Sequence, residues 1–238
     1  MIFRQLFEPD TCTYTYLIAC ETSKKAILID TVATEIKHYI ALLDSLNLTL
    51  IYTLETHVHA DHVTGASLLR DQLGSKSIVH RDAGAMCADL LVTDGVILQI
   101  GGIELKVLHT PGHTGGCVSY VIGDRVFTGD SLLINGCGRT DFQQGDTTTL
   151  YNSVTEKLFT LPEDTLVYPG HDYNGKRVSN IAQEIALNAR LGQQKTCAEF
   201  IEIMANLNLP YPKYIDAALP ANQACGKTET HQEPLRQG

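Results

Sequence analysis

The sequence predicts a layered α/β (α+β) fold, and three observations carry that prediction. Apolar, strand-like runs come in groups, at residues 2–7, 13–19 and 26–30 and again at 96–100, 103–109, 117–122 and 125–128. Helix-like segments lie between the groups instead of alternating one for one with the strands. Gly101-Gly102 and Gly123-Asp124 separate neighbouring strands as tight turns. Runs of strands with interspersed helices favour stacked sheets over strict β-α-β winding.

Each element has its own justification. After the first three strands, Ile36, Ile40, Leu43 and Leu46 fall at helical spacing and predict a helix over 34–46. A strand follows at 49–54, then a polar loop, then a helix over 63–73 closed by Gly74. The second half adds a strand at 77–80 to the group beginning at 96. A glycine-rich loop over 135–145 then precedes a helix at 148–159. A strand at 165–168 leads into Pro169-Gly170-His171, and helices are expected over 179–190 and 196–206. Residues 1–226 read as one domain and 227–238 as a polar C-terminal tail.

Composition narrows the classes of function. The chain has 238 residues, 44% hydrophobic and 19% charged, enough for one substantial core. No apolar run approaches the roughly 20 residues that span a bilayer, so no membrane-integrated role is expected. The formal net charge of −9 argues against nucleic acid or an anionic membrane as partner, which leaves a small-molecule substrate. The N-terminus has neither the basic and apolar regions of a secretory signal nor the Arg-rich character of a transit peptide. The 7 cysteines, Cys12, Cys20, Cys87, Cys117, Cys137, Cys197 and Cys225, are scattered, with no Cys-x-x-Cys pair. Together these predict reduced thiols in a cytoplasmic protein.

The polar loop after the strand at 49–54 is the densest chemical signal. Thr56-His57-Val58-His59-Ala60-Asp61-His62 packs His57, His59, Asp61 and His62 into one short turn. Imidazole and carboxylate groups bind divalent first-row metals, and burying so many without an ion would be costly. In an extended segment alternate side chains share a face, so His57 and His59 form a natural pair. Asp61 and His62 could bind a second ion or orient the first pair by hydrogen bonding. Three later segments supply further ligands at strand ends: His113 in Thr110-Pro111-Gly112-His113-Thr114, Asp130 in Thr128-Gly129-Asp130, and His171 in Pro169-Gly170-His171. Alone, each is ordinary turn chemistry. In combination they predict a metal site fed by several strands.

This set, His57, His59, Asp61 and His62 followed by His113, Asp130 and His171, resembles the metallo-β-lactamase superfamily. The resemblance implies an αββα sandwich, two mixed β-sheets flanked by helices, with the site at one edge. Thr128-Gly129-Asp130-Ser131-Leu132-Leu133, the segment Gly136 to Gly145 containing Cys137-Gly138-Arg139-Thr140-Asp141-Phe142, and Ile203-Met204-x-Asn206-Leu207-Asn208-Leu209-Pro210, with Pro220-Ala221-Asn222 and Cys225-Gly226 beyond it, are similar to the persulfide dioxygenase (ETHE-like) group. Members of that group often carry arginine where this chain has Asn135, a difference in local charge. The group implies one Fe(II) per subunit held by His57, His113 and Asp130, with His59, Asp61, His62 and His171 as supporting groups or a second metal site. It also implies a reaction in which glutathione persulfide and O2 give sulfite and glutathione, in the catabolism of sulfide, and a homodimer. Arg139 and Tyr173 are the candidates for holding glutathione, through a guanidinium–carboxylate pair and a phenol hydrogen bond. Two other functions compete: a dinuclear glyoxalase II-like hydrolase of acylglutathione thioesters, and a metal-binding protein without activity. A shortened C-terminal helical region weighs against the hydrolase.

Overall fold

The computed structural model describes residues 1–227; the remainder of the expected polar tail lies outside the described residues. Two six-stranded sheets form its centre. The first runs in spatial order β1 (Ile2–Glu8), β2 (Thr13–Ala19), β3 (Lys25–Ile29), β4 (Thr49–Leu54), β5 (Lys76–His80) and β6 (Leu90–Val92). The second contains β7 (Ile97–Ile100), β8 (Ile103–His109), β9 (Val118–Ile122), β10 (Arg125–Gly129), β11 (Leu166–Pro169) and β12 (Ser179–Asn180), neighbours in that order. Both are mixed. β1 to β3 pair antiparallel and β3 to β6 parallel, whereas only β10 and β11 pair parallel in the second sheet.

Helices cover both outer faces. α1 (Ile36–Ser45) and α2 (Ala66–Leu73) pack on the first sheet, where Leu17, Leu28, Tyr39, Leu43 and Leu69 are buried together. α3 (Thr147–Ser153), extended by a π-turn over Val154–Leu158, packs on the second with α4 (Ile181–Leu187) and α5 (Cys197–Ala205). Between the sheets lie Tyr16, Ile18, Ile27 and Ile29 from one side and Leu105, Val107, Tyr120 and Phe127 from the other. The result is an αββα sandwich. It explains why β2 is buried at every position: its alternate residues face the inter-sheet core and the helices, so neither face meets water. Its large apolar side chains, Leu17 and Ile18, each contribute roughly 1.5–3 kcal/mol of transfer free energy.

Local chemistry sets the boundaries. Gly74 closes α2 with φ of 71°, its N–H bonded to the Arg70 carbonyl at 2.8 Å. Asp146 and Asn180 cap α3 and α4, and Thr196 with Glu199 forms a capping box on α5. The expected helix over 63–73 begins only at Ala66, because the residues before it are held as a loop. The expected helix over 179–190 opens instead with β12 and ends at Leu187. β6 and a last helix, α6 (Ile215–Gln223), had no counterpart among the expected elements.

One expectation about cysteine is corrected. Cys87 and Cys225 form a disulfide across 138 positions, because the end of α6 folds back against the segment between β5 and β6. Cys12, Cys20, Cys117, Cys137 and Cys197 are free thiols. Among the described residues no helix is long and apolar enough to cross a membrane.

Candidate metal centre

The ligand-type residues converge where strands of both sheets end. β4 delivers the loop bearing His57, His59, Asp61 and His62. The β8–β9 connection supplies His113, β10 ends beside Asp130 and β11 beside His171. Gly129 makes the last turn possible. Its φ of 51° and a register shift against β11 swing the chain out of the sheet, and a side chain there would run into Thr56.

His57, His113 and Asp130 each place one ligand atom within 4.8 Å of the others. The two imidazoles meet nearly edge to face, at 4.9 Å and 82°. Their remaining nitrogens are fixed by the chain. His113 donates from Nδ1 to the Arg139 carbonyl at 2.6 Å. His57 bonds through Nδ1 to Thr56 Oγ1 at 3.0 Å, and that hydroxyl donates to Asp30 Oδ2 at 2.8 Å. Both rings therefore hold Nε2 as the free lone pair. Burial, with His59 and His113 close by, keeps His57 well below the ordinary histidine range, so it is neutral as a ligand must be. Gly138 lets the 135–145 loop lie flat against the site: a Cβ there would fall 2.7 Å from His113 Nδ1.

The other four expected site residues are engaged in histidine–carboxylate contacts within the chain. His171 lies between two carboxylates, Nδ1 to Asp130 Oδ1 at 2.7 Å and Nε2 to Asp61 Oδ2 at 3.0 Å. Burial opposes its charge, but the two aspartates outweigh burial and hold it as an imidazolium. Asp61 and Asp130 are in turn held ionised despite their own burial. Asp61 Oδ2 also accepts from His62 Nδ1 at 2.9 Å. His59 points Nε2 at Asp30 Oδ1, 3.2 Å away, with Glu55 Oε2 at 3.4 Å. Burial would lower its pKa, yet Asp30 and Glu55 raise it to about 10. His59 Nδ1 and His62 Nε2 are buried without hydrogen-bond partners.

The two substrate-binding expectations fare differently. Arg139 makes its bidentate pair inside the chain, to Asp141 at 2.6 and 2.7 Å, and donates to the Pro210 carbonyl at 2.8 Å. It clasps the 135–145 loop to the segment between α5 and α6, where the expectation had it holding a ligand carboxylate. Tyr173 is 69% exposed, its ring parallel to His171 at 6.1 Å, and so stands at the mouth of the site. Asn135 adopts φ of 62° in a turn and bonds toward α4, so the change of charge there faces a helix.

The sequence reading assigned no site role to Asp30 or Glu55, and none to Asn222 although it lies in the Pro220-Ala221-Asn222 motif. Asp30 and Glu55 sit at the ends of the adjacent parallel strands β3 and β4, a pairing that the adjacency of strand ends could have signalled. A third His/Asp group, His80, Asp82 and His109, also lies across the sandwich. Its two rings stack face to face at 3.9 Å and 14°.

Comparison with known proteins places the chain in a family. Residues 12–171 match the model of the metallo-beta-lactamase superfamily. The human mitochondrial persulfide dioxygenase ETHE1 is 51% identical over 229 residues, spanning 95% of this chain and 89% of that protein. The crystal structure of ETHE1 from Myxococcus xanthus superposes with a TM-score of 0.93 at 51% identity, covering 95% of this chain and all of that one. A hydroxyacylglutathione hydrolase from Polaromonas is 37% identical over 166 residues, covering 67% of this chain and 62% of its own. The chain belongs to the metallo-β-lactamase superfamily and, within it, to the family of the persulfide dioxygenases.

Proposed function

We infer that the protein is a persulfide dioxygenase, an oxidoreductase that oxidises glutathione persulfide with O2 to sulfite and glutathione. The observation that carries the reading is the set of two histidines that each keep Nε2 free and one ionised carboxylate, each with its other polar atoms already fixed by the chain. We assign His57, His113 and Asp130 to one Fe(II). Two histidines and a carboxylate on one face suit non-haem Fe(II) and leave positions for substrate and O2. Iron, when bound, supplies the redox chemistry that joins sulfur to oxygen.

The chain's own residues have separate tasks. Thr56 and the Arg139 carbonyl keep the two rings in the tautomer that presents Nε2. Asp30 anchors Thr56 and His59 together. His171 neutralises the charge that Asp61 and Asp130 would otherwise place side by side. Tyr173, exposed above His171, is the residue assigned to contact the glutathione portion, while Arg139 acts through the loop that it holds.

A second reading has one observation in its favour. The unpartnered His59 Nδ1 and His62 Nε2 are the nitrogens that a two-metal hydrolase of the hydroxyacylglutathione kind would use. Against it stands the His171 clamp, which commits Asp61 and Asp130 to each other. Anaerobic purification, metal quantification and parallel assays of O2 uptake with glutathione persulfide and of S-lactoylglutathione cleavage separate the two. One iron with O2 uptake is expected. Two metals per chain with thioester cleavage and no O2 uptake would replace this reading by the hydrolase.

A further inference from the structure

We propose that Asn222 of α6 is a positioning residue for the metal-ligand loop, and that the Cys87–Cys225 disulfide is a thiol-openable latch that keeps it there. The inference rests on the metal reading of His57 given above and adds a part of the chain to it.

Asn222 is 4% exposed, and all the hydrogen bonds of its amide go to the loop between β4 and α2. Oδ1 accepts the Thr64 N–H at 2.8 Å, and Nδ2 donates to the carbonyls of His59 at 2.9 Å and His62 at 2.7 Å. Only a side chain with one acceptor and two donors serves three such groups. That loop carries His57; the Thr56, Val58 and Val63 carbonyls bond to Val118, Gln143 and Ala33, and those of His59 and His62 are held by Asn222, which stands in there for secondary structure. Removing it leaves three buried backbone groups without partners.

The support beneath Asn222 is thin. α6 has 9 residues with Pro220 inside it, and a helix of that length is marginal unless fastened. Its fasteners lie at its end. The Cys225 carbonyl accepts the Ser67 N–H at 3.1 Å, Gly226 packs directly on the Thr64 carbonyl, and the disulfide ties Cys225 to Cys87. Both α6 and Cys225 lie beyond residues 12–171, the span that matches the superfamily model.

The bridge can be opened by the thiol that the proposed reaction releases. Cys87 is the partly exposed partner and Cys225 is buried. A glutathione thiolate attacks the Cys87 sulfur, the S–S bond breaks, and Cys225 leaves as a thiolate that takes up a proton. A second glutathione thiolate attacks the glutathione sulfur of the mixed disulfide and expels the Cys87 thiolate, which is protonated in turn. Two electrons pass from two glutathiones to the bridge, giving two protein thiols and one glutathione disulfide. α6 then keeps Asn222 in place by hydrogen bonds and packing alone.

The test compares the whole protein, oxidised and glutathione-reduced under argon, with Asn222→Ala, Asn222→Asp and Cys87→Ser. Hydrogen exchange is followed by peptide, and Co(II) is titrated in as a probe whose visible bands report ligand geometry. In Asn222→Ala, exchange over residues 57–66 is expected to rise and Co(II) affinity to fall by about 10–100-fold, with β2 and β9 unchanged. Asn222→Asp, which keeps the acceptor and loses the donors, is expected to behave like Asn222→Ala. Reduced wild type and Cys87→Ser are expected to show the same signature at a smaller amplitude, and Cys87→Ser not to respond to glutathione. Unaltered loop exchange and Co(II) spectra in both Asn222 variants would overturn the positioning role. Identical behaviour of oxidised wild type, reduced wild type and Cys87→Ser would overturn the latch, and this arm decides even if the Asn222 variants do not fold. Loop and Co(II) changes as expected, in a protein without O2 uptake on persulfide, would uphold this inference while refuting the proposed reaction.

Discussion

Two histidine clusters cross the sandwich, and they differ in what they can hold. His57 and His113 meet at 82°, His80 and His109 at 14°. A coordinate bond lies in the plane of the imidazole ring. Two planes nearly at right angles can share a point at bonding distance from both nitrogens, whereas two stacked planes cannot. The lone pairs differ as well. His57 and His113 fix Nδ1 elsewhere and keep Nε2 free, whereas His80 Nδ1 accepts the Asp82 N–H at 3.2 Å. Asp130 has a mostly buried side chain and Asp82 a 58% exposed one. Ring orientation and committed partners therefore separate a metal centre from a histidine stack. The number of ligand-type residues does not.

The strongest way to break this contrast is to delete ligands on each side. His57→Ala, His113→Ala or Asp130→Ala should bring bound iron and O2 uptake to background, while His80→Ala and His109→Ala should keep full metal content by elemental analysis. Loss of iron in the His80 or His109 variants, in a folded protein, would erase the distinction. Next in size is the cation between Asp61 and Asp130. His171→Leu should destabilise the protein by about 3 kcal/mol in urea unfolding, the low end for a broken buried pair, because the mostly buried Asp130 loses its partner while Asp61 is partly exposed and keeps His62. An unchanged midpoint would mean that the clamp contributes nothing.

A smaller effect is expected one step from the ligands. Asp30→Asn retains size but weakens the support of Thr56 and His59, and should lower metal affinity about 10–100-fold without changing its stoichiometry. Competition with a chelator of known strength measures this. The smallest effect belongs to the stack. Burial and the neighbouring His109 lower the pKa of His80 from 6.5 to about 4. A histidine with a lowered folded-state pKa gives stability that is complete above the unfolded value and is lost as pH falls toward the folded value, because the unfolded chain takes up the proton first. Between pH 6.5 and 4 the wild type should therefore lose stability more steeply than His80→Phe, by an amount on the order of 1 kcal/mol. Parallel slopes would show that the stack is not a neutral one.

Much of this was legible in the chain. β2, β4 and β8 occupy the expected residues because alternation and turn glycines are local signals, and the seven expected ligand-type residues converge because each sits in a short, strongly marked segment. What could not be read is nonlocal. β6 spans three residues, two of them exposed, and has no pattern of its own. Asp30 becomes a support only through the parallel pairing of β3 with β4, and Arg139 is committed across the chain to the Pro210 carbonyl, 71 positions away. α6 is rich in alanine and interrupted by Pro220, so its periodicity is weak. Its importance arises from where Asn222 lands, 160 positions from His62.

The ligands assigned to the ion come from opposite sheets, His57 from the first and His113 and Asp130 from the second. Neither layer supplies all three of these ligands, so an ion bound by them would act as a rivet through the sandwich. A nascent chain with only its first sheet formed offers a histidine-rich loop but no closed site. Under that assignment the three ligands come together only once both halves have met, so an ion held there would enter the assembled sandwich and not half-made protein.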